Sequence, residues 1–456
     1  CVFTCGAVLV DRCTVRVSPS CGDVSRTIQR VDDRPEELEL FDPQTGHDTI
    51  GSGLEELPMS CVTRRVVLGP GVFSGYGNTQ LNISGMNMHV IVVGDGVGQS
   101  ILDGAGSHSF FRVDNGAKLE LHNLTLRHGF AEYNDKPGKY TVRAGGAIQI
   151  LSGASITCTS VSFERNVAAT LEDTISGHDG GNGGAIYFRS AGNATFYDCH
   201  FFGNSAIGDA PRGGAVAVLQ GTSYFSQCSF EGNGAVFPEG QTKYRGGEGG
   251  AVGVRLATVE FLQTSFTSNI VHHGVGIEGG LGGAVCLGGI VGSALFDGCM
   301  FHNNSAIIPE FDVQSQTLGG ALGAIGANVT IRSSRFSSNF AGSCSLNGNS
   351  GLGGAISMQS VRNGPAMEFS HINAWNVTFE GNYAENPKTM GGQGAAVFLQ
   401  DVPGVFTQCT FKQNHALPAC TAGLGGAVLA QAVESQQLMN YTRYVAEVAP
   451  RVLFDE

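Results

Sequence analysis

The sequence predicts an all-β solenoid, a parallel β-helix opened by a short N-terminal capping helix. Two alternating motifs carry that expectation. Gly-Gly-Ala begins at Gly145-Gly146, Gly183-Gly184, Gly213-Gly214, Gly249-Gly250, Gly282-Gly283, Gly319-Gly320, Gly353-Gly354 and Gly425-Gly426, with a degenerate copy at Gly394-Ala395-Ala396. Phe-x-x-Asn follows in turn at Phe163/Asn166, Phe201/Asn204, Phe230/Asn233, Phe266/Asn269, Phe301/Asn304, Phe336/Asn339, Phe379/Asn382 and Phe411/Asn414. The Gly-led copies recur every 30 to 41 residues, and such a period means one structural unit stacked on its copies. The third observation is the text between motifs. It consists of short β-branched or aromatic runs bounded by Gly, Asn or Asp, with no helix-length periodic segment.

Taken in chain order, residues 1–20 read as the tail of a preceding region, with a strand-like Ala7-Val8-Leu9-Val10. Residues 21–30 (CGDVSRTIQR) read as the capping helix, because Val24 and Ile28 lie four apart on one side. A solenoid has an open apolar end, and a terminal cap closes it. Residues 31–60 are acidic and turn-rich and are expected to form an exposed insertion.

Residues 61–143 read as opening rungs. Val66-Val67-Leu68 leads into the turn Gly69-Pro70-Gly71, and further short strands include Val90-Ile91-Val92-Val93 and Leu124-Thr125-Leu126. Residues 144–429 carry the repeat. Each rung has a strand after Gly-Gly-Ala, a turn, a second strand, and a third ending at Phe-x-x-Asn. Seven of the eight motifs continue as Asn-x-Ala, and the fourth has Val271 in that place. Residues 430–456 fit no rung and are expected to begin a following region or tail.

The motif chemistry is structural. Rungs stacked at ~4.8 Å place equivalent side chains in columns. Phe163 and its copies are expected to stack inside the coil. Asn166 and its copies are expected to take a left-handed turn and form an amide ladder. Gly146, Gly184, Gly214, Gly250, Gly283, Gly320, Gly354 and Gly426 complete corners where a Cβ would clash. Cys199, Cys228, Cys299 and Cys409 each precede a motif Phe by two residues. They therefore share its face and read as buried thiols. Cys1, Cys5, Cys13, Cys21, Cys61, Cys344 and Cys420 would suit disulfides in an oxidising compartment. Seven Asn-x-Ser/Thr sequons occur, at Asn82, Asn123, Asn193, Asn303, Asn328, Asn376 and Asn440.

Charge narrows the partners. The net charge of −13, with charged residues only 14% of the chain, argues against nucleic acid, which needs a basic face. The most apolar uncharged run, residues 281–296, falls short of the ~20 residues a membrane helix needs. Membrane association is expected only through parts outside this chain, which begins at Cys1 and reads as a piece of something larger.

No catalytic, cofactor-binding or metal-ligating set is expected. The one candidate catalytic cluster is Asp103, Asp114, His122 and His128, close in sequence in the opening rungs. The histidines His178, His272 and His273 with Asp173, Asp179 and Glu278 match no ligand spacing. From Asn-x-Ala to the next Gly-Gly, the connecting loops share no sequence. Variable loops on a rigid scaffold suit binding.

The alternating Gly-Gly-Ala-(Ile/Leu/Val) and Phe-x-x-Asn motifs resemble the repeats of the chlamydial polymorphic membrane proteins, over about residues 144–428. The opening stretch, with VVLGPGVFSGYGN, ILDG and LTLRHG, looks like the first rungs of pectin-lyase-like right-handed β-helix proteins. The resemblance implies a right-handed coil. It also implies a surface-exposed adhesin, extracellular or on the cell surface, at the outer membrane if bacterial. The expected function is adhesion to a surface protein receptor or a glycan through the variable loops. A carbohydrate-active enzyme and a purely structural envelope or wall protein are the alternatives.

Overall fold

The computed structural model describes residues 9–11, 14–17, 49–50, 63–131, 144–169, 181–237, 246–272, 280–308, 317–343, 351–360, 370–385, 392–417, 427–431 and 452–455. Its named elements are strands. Leu9–Asp11 and Thr14–Val17 pair antiparallel. From there the strands stack in parallel, one rung on the next. The fold is a parallel β-helix, the right-handed coil that parallel connections favour.

Each repeat rung has four faces. Face one follows Gly-Gly-Ala and stacks Phe111–Asp114 on Ile148–Leu151, and so on to Val397–Gln400 and Val428–Gln431. Face two holds residues 118–122, then 155–159, through to His371–Trp375 and Gly404–Thr407. Face three carries the motif Phe, as in His200–Phe202 over Ser229–Glu231. Face four is the short strand after the motif Asn, from Val167–Ala169 to His415–Leu417. Alternation along each strand points every second side chain inward, so in-register stacking turns the interior into continuous columns.

The motif phenylalanines form one such column, with centroids 4.4 to 5.2 Å apart from Phe163 to Phe411. A second column, Phe196, Phe225, Phe261 and Phe296, lies edge-on against it. The sequence motif does not include this second column.

The corners explain the glycines. Gly183 takes a left-handed φ of 63°, and a Cβ there would run into the Ile186 carbonyl. A Cβ on Gly184 would strike the Gly214 carbonyl of the next rung. The corner at the motif Asn differs from expectation. The left-handed residue is the one before the motif Asn, such as Arg165 or Asn303, and not the Asn itself. The Asn must aim its side chain inward, so its exposed neighbour makes the turn.

The ends also differ from expectation. Residues 1–20 contribute Thr14–Val17 to face two, beside Thr63–Leu68. Ile50, within the stretch expected to be an exposed insertion, is fully buried in the core. Residues 430–456 contribute Val452–Asp455, paired with Gly404–Thr407. The capping helix expected at residues 21–30 lies outside the described residues. Phe379 follows Gly353 by 26 residues, against 17 to 19 in the other rungs, and the extra length has a simple source. Residues 361–369 are inserted between Ile356–Gln359 on face one and His371–Trp375 on face two.

Candidate functional site

The interior columns hold the repeated residues, and they are saturated. Asn204 Oδ1 accepts from the Asn166 backbone N–H and from Asn166 Nδ2, both at 3.0 Å. Asn204 Nδ2 donates to the Phe163 carbonyl and to Asn233 Oδ1, again at 3.0 Å. The set repeats through Asn269, Asn304, Asn339 and Asn382 to Asn414. It begins at Gly129, whose N–H donates to Asn166 Oδ1 at 2.8 Å. An amide with both lone pairs and both N–H groups engaged has nothing left for a ligand.

The cysteine slot does more than fill space. Cys228 Sγ lies 3.6 Å from the Phe196 carbonyl of the rung before and 3.4 Å from the Ser226 carbonyl. Cys299 makes the same pair of contacts, with Phe261 and Asp297. Thr264 occupies the slot with its hydroxyl on the Phe225 and Leu262 carbonyls. Ser334 donates to Arg332 at 2.6 Å. Cys, Thr and Ser share a short X–H donor. Their interchange at one slot was the signal, and reading the cysteines only as buried thiols missed it. Burial pushes the Cys299 thiol up to about 12, and Cys158 and Cys286 well above their ordinary value.

A second unforeseen cluster lies outside face one. The residues just before Gly-Gly stack as Asn182, Arg212, Glu248, Leu281 and Leu318. Arg212 is 1% exposed, and its Nε donates to Glu248 at 2.7 Å. Arg255 reaches the same carboxylate, its Nε at 3.1 Å. Burial raises the Glu248 pKa, but Arg212 and then Arg255 outweigh it and hold the carboxyl below its ordinary value. Gly253 makes room, since a Cβ there would meet the Arg212 side chain. Arg212 and Glu248 occupy the same motif slot in adjacent rungs, a pairing readable from sequence.

The candidate catalytic cluster divides. Asp103 and His128 come together: Arg127 Nε donates to Asp103 at 2.7 Å, and His128 Nδ1 lies 3.3 Å from it. Burial raises the Asp103 pKa, but the Ala105 N–H, Arg127 and His128 outweigh it and hold the carboxyl below the usual range. Asp114 stands on face one with Arg112 at 3.2 Å. His122 stands on face two, 3.3 Å from Glu120, whose other oxygen meets His89 Nε2 at 2.9 Å. Asp103 and His128 line a groove of about 570 Å³ with Val72, Ser74, Phe130 and Arg165. Asp103 is the one acid among the lining residues, whereas glycoside hydrolysis uses two carboxylates ~5–10 Å apart.

His272 is half-buried against Phe237, 5.4 Å between ring centroids, and burial lowers its pKa. His178, His273, Asp173, Asp179 and Glu278 lie outside the described residues. Among the described residues no group of three or more His, Cys, Asp or Glu is placed to hold a metal. No helix among them is long and apolar enough to cross a membrane.

Two features face outward. A groove of about 580 Å³ crosses faces three and four, lined by Met300, His302, Arg335, Glu380 and Tyr383. The ends of the inter-rung loops form the other. Each loop leaves at the end of face four, where Ala169, Ile207 and Val236 stand in register. Each returns at the column of Asn182, Arg212, Glu248 and Leu281, also in register. The loops therefore spring from one edge of the coil, one per rung.

Residues 160–189 match the repeat of the Chlamydia polymorphic membrane proteins. The match spans Phe163-x-x-Asn166, one loop and Gly183-Gly184-Ala185-Ile186. Among solved structures, the Dettilon tailspike protein is similar at 13% identity, covering 80% of this chain and 62% of that one, with a TM-score of 0.31. This chain thus spans less than two thirds of that protein. Among curated proteins none matches. Residues 160–189 therefore carry a Chlamydia polymorphic membrane protein repeat, built into an all-β parallel β-helix.

Proposed function

We propose that this chain is a surface-displayed or secreted β-helix that binds a glycan or a protein receptor through its row of inter-rung loops. One observation carries the reading: the loop ends stack in register along one edge. The repeated residues are spent on the ladder and the ring stacks. Sequence variation is concentrated in the loops, whose ends are anchored one rung, ~4.8 Å, from the next. That arrangement makes an extended, multipoint surface of the kind solenoids use for binding. The polymorphic membrane protein repeat supports a surface location, at the outer membrane if the source is bacterial. The acidic net charge weighs against nucleic acid as the partner.

The test is loop replacement. The intact chain is offered to a panel of glycans and to receptor-bearing cells, beside a variant whose residues 238–245 are a Gly-Ser linker of equal length. Loss of capture with an unchanged melting temperature supports the reading. Capture that survives replacement of every loop overturns it.

The enzymatic alternative rests on Asp103 and His128 in their groove, with Arg127 bonded to Asp103. Cleavage of any polysaccharide in the panel, abolished by Asp103→Asn, would favour it over adhesion. Neither capture nor cleavage would favour a structural role in an envelope or wall.

A further inference from the structure

The sequons sort by burial. Among the described residues nine asparagines are exposed, and six of them head an Asn-x-Ser/Thr sequon: Asn82, Asn123, Asn193, Asn303, Asn328 and Asn376. Nine are buried, Asn78, Asn182 and seven of the ladder, and none heads a sequon. Asn440 lies outside the described residues.

The segregation has a structural basis. On a strand, residues i and i+2 share a face, so Asn193 stands beside Thr195 and Asn328 beside Thr330, both on the outer side of face two. Asn123, Asn303 and Asn376 occupy the left-handed corner positions, with φ of 54°, 54° and 53°. Such corners project their side chains to solvent. Asn303 Nδ2 donates to Ser268 Oγ at 3.1 Å, a surface bond that leaves its second N–H unused. The ladder asparagines are followed two residues later by Ala or Val271, which keeps the sequon out of the interior.

We propose that this chain carries N-linked glycans at these exposed asparagines. The co-reactant is a lipid-pyrophosphate-linked oligosaccharide. The anomeric C–O bond of the donor breaks as a C1–Nδ2 bond forms, the lipid pyrophosphate leaves, and the amide gives up one proton. The modified amide keeps one N–H, so no ladder bond is touched. Asn193 and Asn328 are four rungs apart, about 19 Å at the usual strand spacing, which leaves those two glycans room. None of the six stands between the end of face four and the Gly-Gly corner. The glycans would clothe the other sides and leave the loop edge bare. The proposal rests on the surface-displayed reading only for export of the chain, not for any ligand.

The experiment uses the full chain isolated from the cells that make it. Peptide N-glycosidase converts each glycosylated Asn to Asp, and peptide mass spectrometry then locates the converted positions. Conversion at one or more of the six, with every ladder Asn unconverted, is the expected result. Recovery of all six as plain, unmodified Asn before enzyme treatment overturns the proposal. Ligand capture by the enzyme-treated chain reports separately on the loop edge, so the two readings fail independently.

Discussion

Asn233 offers a single oxygen to Asn204 twice, accepting from the Asn204 backbone N–H and its side-chain amide, each at 3.0 Å. Its own Nδ2 returns to the Phe201 carbonyl at 2.9 Å. One side chain thus serves both the turn and the strand end of the rung before it. Asn233→Ala would leave the Asn204 backbone N–H and one N–H of the Asn204 side-chain amide buried without an acceptor. Each orphaned group costs about 1–3 kcal/mol. Denaturant unfolding should show a loss of several kcal/mol, and a loss under 1 kcal/mol would refute the ladder's energetic role.

Phe230 is fully buried between Phe201 at 4.6 Å and Phe266 at 5.0 Å. Phe411, the last of the column, is only half-buried. Phe230→Ala should cost about 3–5 kcal/mol, and Phe411→Ala clearly less. Equal losses in thermal unfolding would mean that the column does not carry the core. In a solenoid each rung leans on its neighbours, so Phe230→Ala should also open protease sites near the middle of the chain first.

The periodic part of this fold was legible because stacking demands the same residue at the same slot. Phe, Asn and Gly-Gly repeat for that reason, and the columns follow. The second ring column escaped because its slot also accepts Cys158, Ile331 and Ala374, which share only an apolar character. The left-handed corners escaped because an exposed corner residue can be Arg, Gly, Ser or Asn. Asp103 and His128 were brought together as expected, but Asp114 and His122 were not. Proximity in sequence says nothing about which face of a rung a strand residue meets.

The cysteine slot yields a prediction with a pH sign. Burial raises the Cys299 pKa from 9.0 to about 12. The folded chain therefore holds a proton that the unfolded chain releases. The stability this contributes is fully present below pH 9 and falls as pH rises from about 9 toward 12. Cys299→Ser keeps the X–H donor and removes the titration, so its unfolding free energy should decline less steeply across that window. Cys299→Val removes the donor and should cost about 1 kcal/mol at neutral pH. Identical alkaline slopes for Cys299→Ser and the parent chain would sink the assignment.

Glu248 tests the buried charges. Removing the carboxylate as Glu248→Gln takes the anion from beside Arg212, which is buried, and should cost roughly 3–5 kcal/mol. The double change Arg212→Met with Glu248→Leu should recover most of that, because an apolar pair needs no desolvation. Arg255 is exposed enough for water to replace its partner. The Glu248 pKa is depressed in the folded chain, so its contribution is present above the unfolded value of 4.5 and is lost as pH falls through the lower, folded value. A double variant less stable than Glu248→Gln would show that the ion pair outweighs its desolvation.

The insertion at residues 361–369 gives the sharpest test of rung geometry. In the rung before, Leu322–Arg332 passes from face one to face two as one strand. Ile325 pairs with Gln359 and Asn328 with His371, so two residues, Gly326 and Ala327, span that join. Deleting residues 361–369 leaves Ser360 and Ser370, again two residues, between Gln359 and His371. The shortened chain should therefore fold with its melting temperature within a few degrees of the parent, since stability changes only slowly with the length of a connection. Aggregation or a large fall in melting temperature would mean that the insertion is part of the coil. A normal melt with lost ligand capture would instead place a binding contact on this second edge, away from the main row of loops.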